Sequence, residues 1–241
     1  MNSIQNPFSQ TTEFQSQSMV RTFMTNVFTW MFVAMALTAL IAYTAAGNES
    51  FKTMMVNSET GGMSILGWIV MLSPLGLVLW MSAGFARMSA NTMTLVFIGY
   101  SVLMGLSLSF IFLAYTGSSI AKTFMITSAM FGLMAVLGFT TKTDLSKFGS
   151  FMMMGVIGII VASLVNFFMK SSTLDYIISF VGVLVFTGLT AYDVQKLKRI
   201  GAAAIEQGDT MRKVTIMGAL TLYLDFINLF LFLLRFFGDR K

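Results

Sequence analysis

The 241-residue chain contains no histidine and no cysteine. The missing thiols exclude disulfides and thiolate nucleophiles, and the missing imidazoles exclude a serine–histidine–aspartate triad and a histidine proton relay. Any proton or cation chemistry must therefore depend on the 10 Asp and Glu residues, with 15 Lys and Arg residues as their counter-charges. We expect no catalytic residues and no cofactor, and we predict that the protein is not an enzyme.

Charged residues are also scarce, at 10% of the chain, whereas apolar residues make up 56%. Soluble domains carry about 25% charged residues, and a folded surface with less than half of that is hard to keep dispersed in water. We therefore expect most of the chain to lie in a lipid bilayer. The net charge of +5 is interpreted as a topology signal beside membrane spans, and nucleic-acid binding is not expected.

Seven apolar stretches are long enough, or nearly so, to cross a bilayer, since a hydrocarbon core of about 30 Å needs roughly 20 helical residues. The predicted fold class is an all-α polytopic bundle of seven transmembrane helices. Residues 1–22 are rich in Ser, Gln, Asn and Thr and are predicted to form a disordered polar tail. Residues 23–238 form one seven-span domain, because no connector is long enough to separate two domains, and residues 239–241 form the C-terminal end. The predicted spans cover residues 24–46, 63–81, 93–115, 121–140, 151–169, 176–195 and 214–237.

The distribution of basic residues favours a cytoplasmic N-terminus. Of the 15 Lys and Arg residues, nine then fall on the inner side of the membrane and six on the outer side. If the last segment re-entered instead of crossing, the count would become twelve against three, so a re-entrant last segment stays an alternative. The nine inner residues are Arg21, Arg87, Lys142, Lys147, Lys196, Lys198, Arg199, Arg212 and Lys213.

Asp225 lies near the middle of the seventh span, where a charged side chain costs about 2.5 to 3.5 kcal/mol on insertion scales. The nearest basic residue in that span, Arg235, is ten positions on, about 15 Å along a helix. We therefore expect Asp225 to face the bundle interior, either protonated or partnered by another helix. Asn228, three positions on, is a candidate supporting polar residue on the same face. The alternative is a neutral acid that donates a hydrogen bond to a backbone carbonyl.

Asp193 ends the sixth predicted span, and Lys196 follows three positions later. An ordinary ion pair between these two residues at the membrane interface would explain the carboxylate. Arg87 follows the second span, where a basic residue serves as an anchor on the cytoplasmic side. In the preferred orientation Arg87 and Asp193 lie on the same side of the membrane, so they are candidates for a pair between helices.

Two segments resemble a known family. They are G-A-L-T-L-Y-L-D-F-I-N-L-F-L-F-L-L-R-F-F-G at residues 218–238 and G-L-T-A-Y-D-V-Q-K-L-K at residues 188–198. Both are similar to the Bax inhibitor-1 (transmembrane Bax-inhibitor-motif) family, and above all to its bacterial inner-membrane members. The similarity covers nearly the whole chain, including T-T-K-T-D-L-S-K-F-G at residues 140–149. It implies a multi-pass protein of the bacterial inner membrane in which the other six helices wrap a central last helix.

The resemblance also implies a function. In family members studied as channels, two aspartates matching Asp193 and Asp225 form a pair that senses pH and gates a calcium leak. An arginine that resembles Arg87 latches to the first aspartate in the closed state. Some members carry a further glutamate within the second span, but the stretch around Gly76 is uncharged here, which removes that group from any ion path.

The physical chemistry of a carboxylate pair agrees with this implied role. Two carboxylates a few ångströms apart in a low-dielectric interior cannot both ionise at low cost, so the pair holds one proton. Because Ca²⁺ prefers carboxylate and carbonyl oxygens, it could contact Asp193 and Asp225 in place of that proton, and conduction would then depend on pH. The predicted spans do not show how the two meet, since Asp193 ends one span and Asp225 lies about 16 Å along the next.

Two other functions compete with a calcium leak. An intramembrane aspartyl protease also needs two aspartates that share a proton, and Tyr192 with Asp193 matches half of its signature. The other half, Gly-x-Gly-Asp, is absent, because Leu-Tyr-Leu precedes Asp225. The second alternative is a non-conducting regulatory protein that binds other membrane proteins or a quality-control protease, although no docking motif identifies such a partner.

Overall fold

The computed structural model describes residues 7–57, 62–203 and 208–241. Over these residues the regular structure is helical, with two isolated β-bridges and no strand. This confirms the predicted all-α fold class. The helices are α1 (Pro7–Gly47), α2 (Glu49–Met55), α3 (Ile65–Gly84), α4 (Ala90–Leu108), α5 (Ile111–Ala114), α6 (Gly117–Thr140), α7 (Ser146–Met169), α8 (Ser172–Ala203) and α9 (Asp209–Phe237).

Seven helical segments are long and apolar enough to cross a membrane, as predicted, with α4 and α5 together forming the third. Polar residues at the connectors set where three of these segments begin. The side chains of Ser64, Ser89 and Thr116 accept hydrogen bonds from backbone N–H groups in the first turns of α3, α4 and α6. These N-caps satisfy donors that a helix start otherwise leaves unpaired.

Three boundaries differ from the predicted spans. The first helix begins at Pro7, whereas residues 1–22 were expected to be a disordered tail; residues 1–6 lie outside the described part of the chain. Proline suits this first helical position because its missing N–H would be unpaired there in any case. At its end, α8 continues eight residues past the predicted residue 195. Finally, α9 is an unbroken helix of 29 residues, which offers no turn at which a re-entrant segment could reverse.

The last two long helices form the centre of the bundle. In their most apolar windows, 67% of α9 and 61% of α8 are buried, against 28% or less for every other span of the described chain. The central position expected for the last helix is therefore confirmed. It does not stand alone, however, because α9 packs against α1, α4, α6 and α8, while α7 packs on α8 and α3 on α4. Most of the buried polar groups discussed below lie on these two central helices.

The two ends of the bundle are distinguished by their connections. We call the inner face the end that carries residues 85–89, residues 141–145, the end of α8 and the start of α9. At the opposite end, the chain terminus folds back over the start of α6, where Asp239 donates its backbone N–H to Ser119 Oγ at 3.0 Å. The C-terminus therefore lies at the end of the bundle opposite the inner face, as an odd number of membrane crossings requires.

Candidate functional site

Asp193 and Asp225 face each other from the two central helices. Their side chains lie within hydrogen-bonding reach of each other, with Asp193 on α8 and Asp225 on α9. Both residues are buried, at 7% and 5% exposure. They meet because α8 continues to Ala203, which places Asp193 well inside the helix and not at its end. The structure thus brings together the two residues that the sequence singled out. The predicted spans placed them at different depths in the membrane, and the longer α8 removes that difference.

A direct contact between two carboxyl groups has a chemical requirement. Ionised carboxylates only accept hydrogen bonds, so a bond between the two groups needs a proton on one of them. Asp225 also keeps its Oδ2 atom buried without a hydrogen-bond partner among the described residues. Unpaired buried polar atoms are costly, and they mark places where a proton, a water or a cation can be accommodated.

A cavity of about 260 Å³ reaches Asp193. It lies between the inner halves of α8 and α9, and its lining includes Asp193 and Lys196 together with Phe85 from the end of α3. Lys196 is close enough to attract the Asp193 carboxylate but forms no ion pair with it in the described structure. Its ammonium group lies over the Tyr192 ring instead, at 5.9 Å from the centroid. The simple ion pair considered for Asp193 is therefore absent.

Arg87 lies apart from the aspartates in this structure. It is exposed in the turn after α3, and no ion pair or side-chain hydrogen bond joins it to Asp193 within the described chain. The end of α3 is held by Lys213, whose Nζ donates to the Phe85 carbonyl at 3.2 Å and lies 5.2 Å from the Phe85 ring centroid. Lys196 lines the cavity, and Lys213 is bonded to Phe85, which also lines it.

Asn228 does not bond to the aspartate pair. Its Nδ2 group donates to the backbone carbonyl of Leu224 at 2.8 Å, within its own helix. This bond uses one of its two N–H donors, and no hydrogen bond from Asn228 to Asp225 occurs in the described structure. In this structure Asn228 shares the partly buried face of α9 without completing the site.

Ca²⁺ would find few protein ligands here. No cluster of three or more acidic residues occurs in the described part of the chain, so the pair offers two carboxyl groups. Bound Ca²⁺ takes six to eight oxygen ligands in well-built sites. Two carboxyl groups alone are therefore too few to form a tight structural calcium site.

A buried hydroxyl cluster lies where the central helix α9 packs against α1 and α4, and it was missed by the sequence reasoning. The hydroxyls of Thr38 and Tyr223 are 2.8 Å apart, and Thr38 Oγ1 also lies 2.9 Å from the carbonyl oxygen of Ser101. Tyr100 packs edge-on against Tyr223, and its hydroxyl has no partner among the described residues. The available signal was Tyr223, two positions before Asp225 in an otherwise apolar run.

A second polar group clamps the inner end of α8 to the loop before α7. Gln195 accepts a hydrogen bond from Leu145 N at 2.9 Å and donates one to the Thr143 carbonyl at 2.7 Å. Arg199 donates to Asp144 Oδ1 at 2.8 Å. Because Gln195 is buried and lies two residues from Asp193, this clamp fixes the helix that carries the site.

The clamp is insensitive to pH in the neutral range. Hydrogen bonds from the side chain and backbone of Ser146, and then the Arg199 guanidinium, lower the pKa of Asp144 to about 2. A lowered pKa means that the stabilisation is present above the unfolded value of 3.8 and is lost as pH falls through the folded value. Asp144 therefore contributes no pH dependence near neutrality.

Replacing Gln195 by alanine should destabilise the protein by about 1 to 3 kcal/mol, because Leu145 N–H and the Thr143 carbonyl both lose their partner. The measurement is thermal unfolding of the purified protein in detergent, followed by circular dichroism. Lys147→Ala, an exposed change on the same face, is the control and should leave the midpoint unchanged. Equal midpoints for Gln195→Ala and the control would show that the clamp does not stabilise α8.

Comparison with known proteins decides the family. The sequence model described as "Inhibitor of apoptosis-promoting Bax1" matches residues 20–241. The chain belongs to this family, the Bax inhibitor-1 family. The match covers all seven spans, so the resemblance of the two central segments extends to the whole membrane domain.

Bacterial relatives of this Bax inhibitor-1 family member match along almost their full length. The "Inner membrane protein YbhL" of Escherichia coli K12 is 48% identical over 229 residues, which cover 94% of this chain and 95% of the relative. A protein of Rickettsia prowazekii is 45% identical, covering 92% of this chain and 91% of its own. With its seven candidate spans, the protein is a multi-pass protein of the bacterial inner membrane, as expected.

Proposed function

We propose that this protein is a pH-sensitive cation leak of the inner membrane, with calcium as a permeant ion and Asp193 and Asp225 as its gate. The observation that supports this most strongly is the contact between two buried carboxyl groups on the two central helices. A second supporting observation is the cavity that reaches Asp193 from the inner face. The proposed function needs no catalytic residue and no cofactor.

The gate works through competition between a proton and a cation. While the pair holds one proton, the hydrogen bond between the carboxyl groups ties α8 to α9 and closes the path. When that proton leaves, two negative charges face each other in a low-dielectric interior, where their repulsion is large. A hydrated cation that enters the cavity at Asp193 then offsets this repulsion. Cation entry should therefore rise with pH across the titration of the pair.

Basic residues on the inner face would oppose this entry. Lys196 lines the cavity, so its ammonium group competes with a cation for Asp193. We also propose Arg87 as a latch, and the support is the family likeness together with its exposed guanidinium on the same face. In that role Arg87 would have to move to Asp193 from its present position.

Reconstituted protein tests the proposal. Liposomes that contain the protein and a trapped calcium indicator should take up Ca²⁺ faster than protein-free liposomes, and faster at about pH 8 than at about pH 5. Arg87→Ala and Lys196→Ala should raise the basal rate, because each removes a cation that competes for Asp193. Liposomes that stay silent to Ca²⁺ and K⁺ across this range would contradict conduction. Such silence, with a partner that co-purifies from membranes, would favour the regulatory alternative.

A further inference from the structure

A cleft opens from the inner half of the bundle towards the surrounding lipid. It lies between α1 and α6, which both pack on the central pair α8 and α9 and do not pack along each other in the described chain. The cleft has a volume of about 650 Å³, within the usual range of about 300 to 1,000 Å³ for ligand sites. Its walls are mainly apolar and include Phe28, Phe32, Val136 and Phe139, and Arg21 lies at its rim.

The length of the cleft corresponds to one leaflet of the bilayer. Arg21 and Phe32, both in its lining, are eleven residues apart on α1, which is about 16 Å along a helix. Half of a hydrocarbon core of about 30 Å is about 15 Å. Arg21 lies near the inner end of the first membrane span, which runs from Gln17 to Gly47, and it shares the cleft lining with Phe139 and Thr140 of the last turn of α6. The cleft therefore runs from the headgroup level of the inner leaflet towards the midplane.

Arg21 brings a positive charge to the rim of the cleft. Arg21 is exposed, and it has no ion pair or side-chain hydrogen bond among the described residues. Lys198 stands behind the opposite wall, where its Nζ donates to the Phe139 carbonyl at 2.6 Å and lies 4.9 Å from the ring centroid. The acidic residue closest in sequence to this end of α6, Asp144, is already bonded to Arg199.

We propose that this cleft binds one anionic phospholipid of the inner leaflet, with its phosphate at Arg21 and an acyl chain between α1 and α6. A guanidinium binds phosphate oxygens through two parallel hydrogen bonds, and basic pockets between spans on the cytoplasmic side recognise anionic headgroups. The phenylalanine walls supply the apolar surface for the chain. A zwitterionic lipid would bring its own cation to the positive rim and would bind less well.

Native mass spectrometry of the full-length protein in detergent tests the preference for charge. Phosphatidylglycerol should bind about fivefold more tightly than phosphatidylcholine with the same acyl chains, as expected for one basic side chain near a headgroup. Arg21→Gln should lower phosphatidylglycerol binding to the phosphatidylcholine level. Lys147→Gln removes a cation from the same face but away from the cleft, and it should change neither affinity.

A second variant tests whether an acyl chain occupies the cleft. Val136 lines the cleft and is 63% exposed, so Val136→Trp should fill the cleft at little cost to folding and should weaken both lipids. Leu133→Trp is the matched control, because Leu133 is 72% exposed on the same helix and does not line the cleft. Phosphatidylglycerol with a photoreactive group in its acyl chain should label Phe28 or Phe32 in the unmodified protein and lose this labelling in Val136→Trp.

Three results would overturn the proposal. Equal affinities for the two lipids would remove the role of charge, and an unchanged phosphatidylglycerol affinity in Arg21→Gln would remove the role of Arg21. Displacement of the lipid by inorganic phosphate at matched concentration would show an anion site that does not recognise a lipid. None of these measurements depends on ion conduction, so they stand apart from the proposed calcium leak.

Discussion

Asp225→Asn in liposomes is expected to admit Ca²⁺ at a rate that no longer depends on pH. Asparagine has nearly the same shape as the protonated acid, but it cannot release a proton, so the pair can no longer switch between its two states. In the unmodified protein, the ionised fraction of a group that releases one proton falls about tenfold for each pH unit below the pKa of that group. The ratio of Ca²⁺ entry between about pH 8 and about pH 5 should therefore fall from about tenfold or more to near one.

Two further variants sharpen this experiment. Asp193→Asn should abolish the pH dependence in the same way, since both carboxyl groups belong to one titrating pair. Asp239→Asn also removes a carboxyl group, but from an exposed position just beyond the outer end of α9, and it should keep the pH profile of the unmodified protein. An unchanged pH profile in both Asp225→Asn and Asp193→Asn would contradict the proposed gate.

Gly138→Ala is expected to be strongly destabilising, although alanine is the best helix former. A Cβ atom at Gly138 on α6 would overlap the backbone of Ala191 on α8, and backbone atoms cannot rotate away as a side chain can. The two helices would have to separate, so we expect a loss of about 3 kcal/mol, the upper end of the usual cost of overpacking. Because Ala191 is two residues from Asp193, the aspartate contact should loosen as well.

Gly132→Ala is the matched control for this prediction. Gly132 lies on the same helix, and a Cβ atom there would meet nothing within 4 Å. Replacing glycine by alanine at an open helical position stabilises by about 1 kcal/mol, so the two variants should shift thermal unfolding in opposite directions. Comparable midpoints for Gly138→Ala and Gly132→Ala would show that α6 and α8 are not as closely packed as the structure indicates.

The seven spans and the family could be read from the chain, because membrane burial imposes the same requirement on every span. A helix that crosses about 30 Å of hydrocarbon must be apolar over roughly 20 residues, and this requirement does not depend on the neighbouring helices. Asp225 could be identified for the same reason, since a carboxyl group at that depth needs a partner. Its pairing with Asp193 came from the family likeness and not from the spacing of residues.

The prediction of helix ends from the apolar runs was wrong where helices leave the membrane. It ended the sixth span at residue 195, because Lys196, Lys198 and Arg199 are too polar for lipid, yet α8 continues to Ala203. Two of those side chains bond to neighbouring elements instead, with Lys198 on the Phe139 carbonyl and Arg199 on Asp144. Apolar composition reports contact with lipid, whereas the length of a helix also depends on the partners that its polar residues find.

Composition established the solvent of this protein, and the order of residues along the chain established the number of its crossings and the one carboxyl group that the membrane could not explain. These properties follow from the transfer of each segment between water and lipid, which is local in sequence. The contact between Asp193 and Asp225, the exposed position of Arg87 and the cleft beside Arg21 depend on how far apart packed helices lie and which faces they turn to each other. Such distances arise from steric contacts between residues far apart in the chain, as where Gly138 meets Ala191, and a one-dimensional pattern does not contain them.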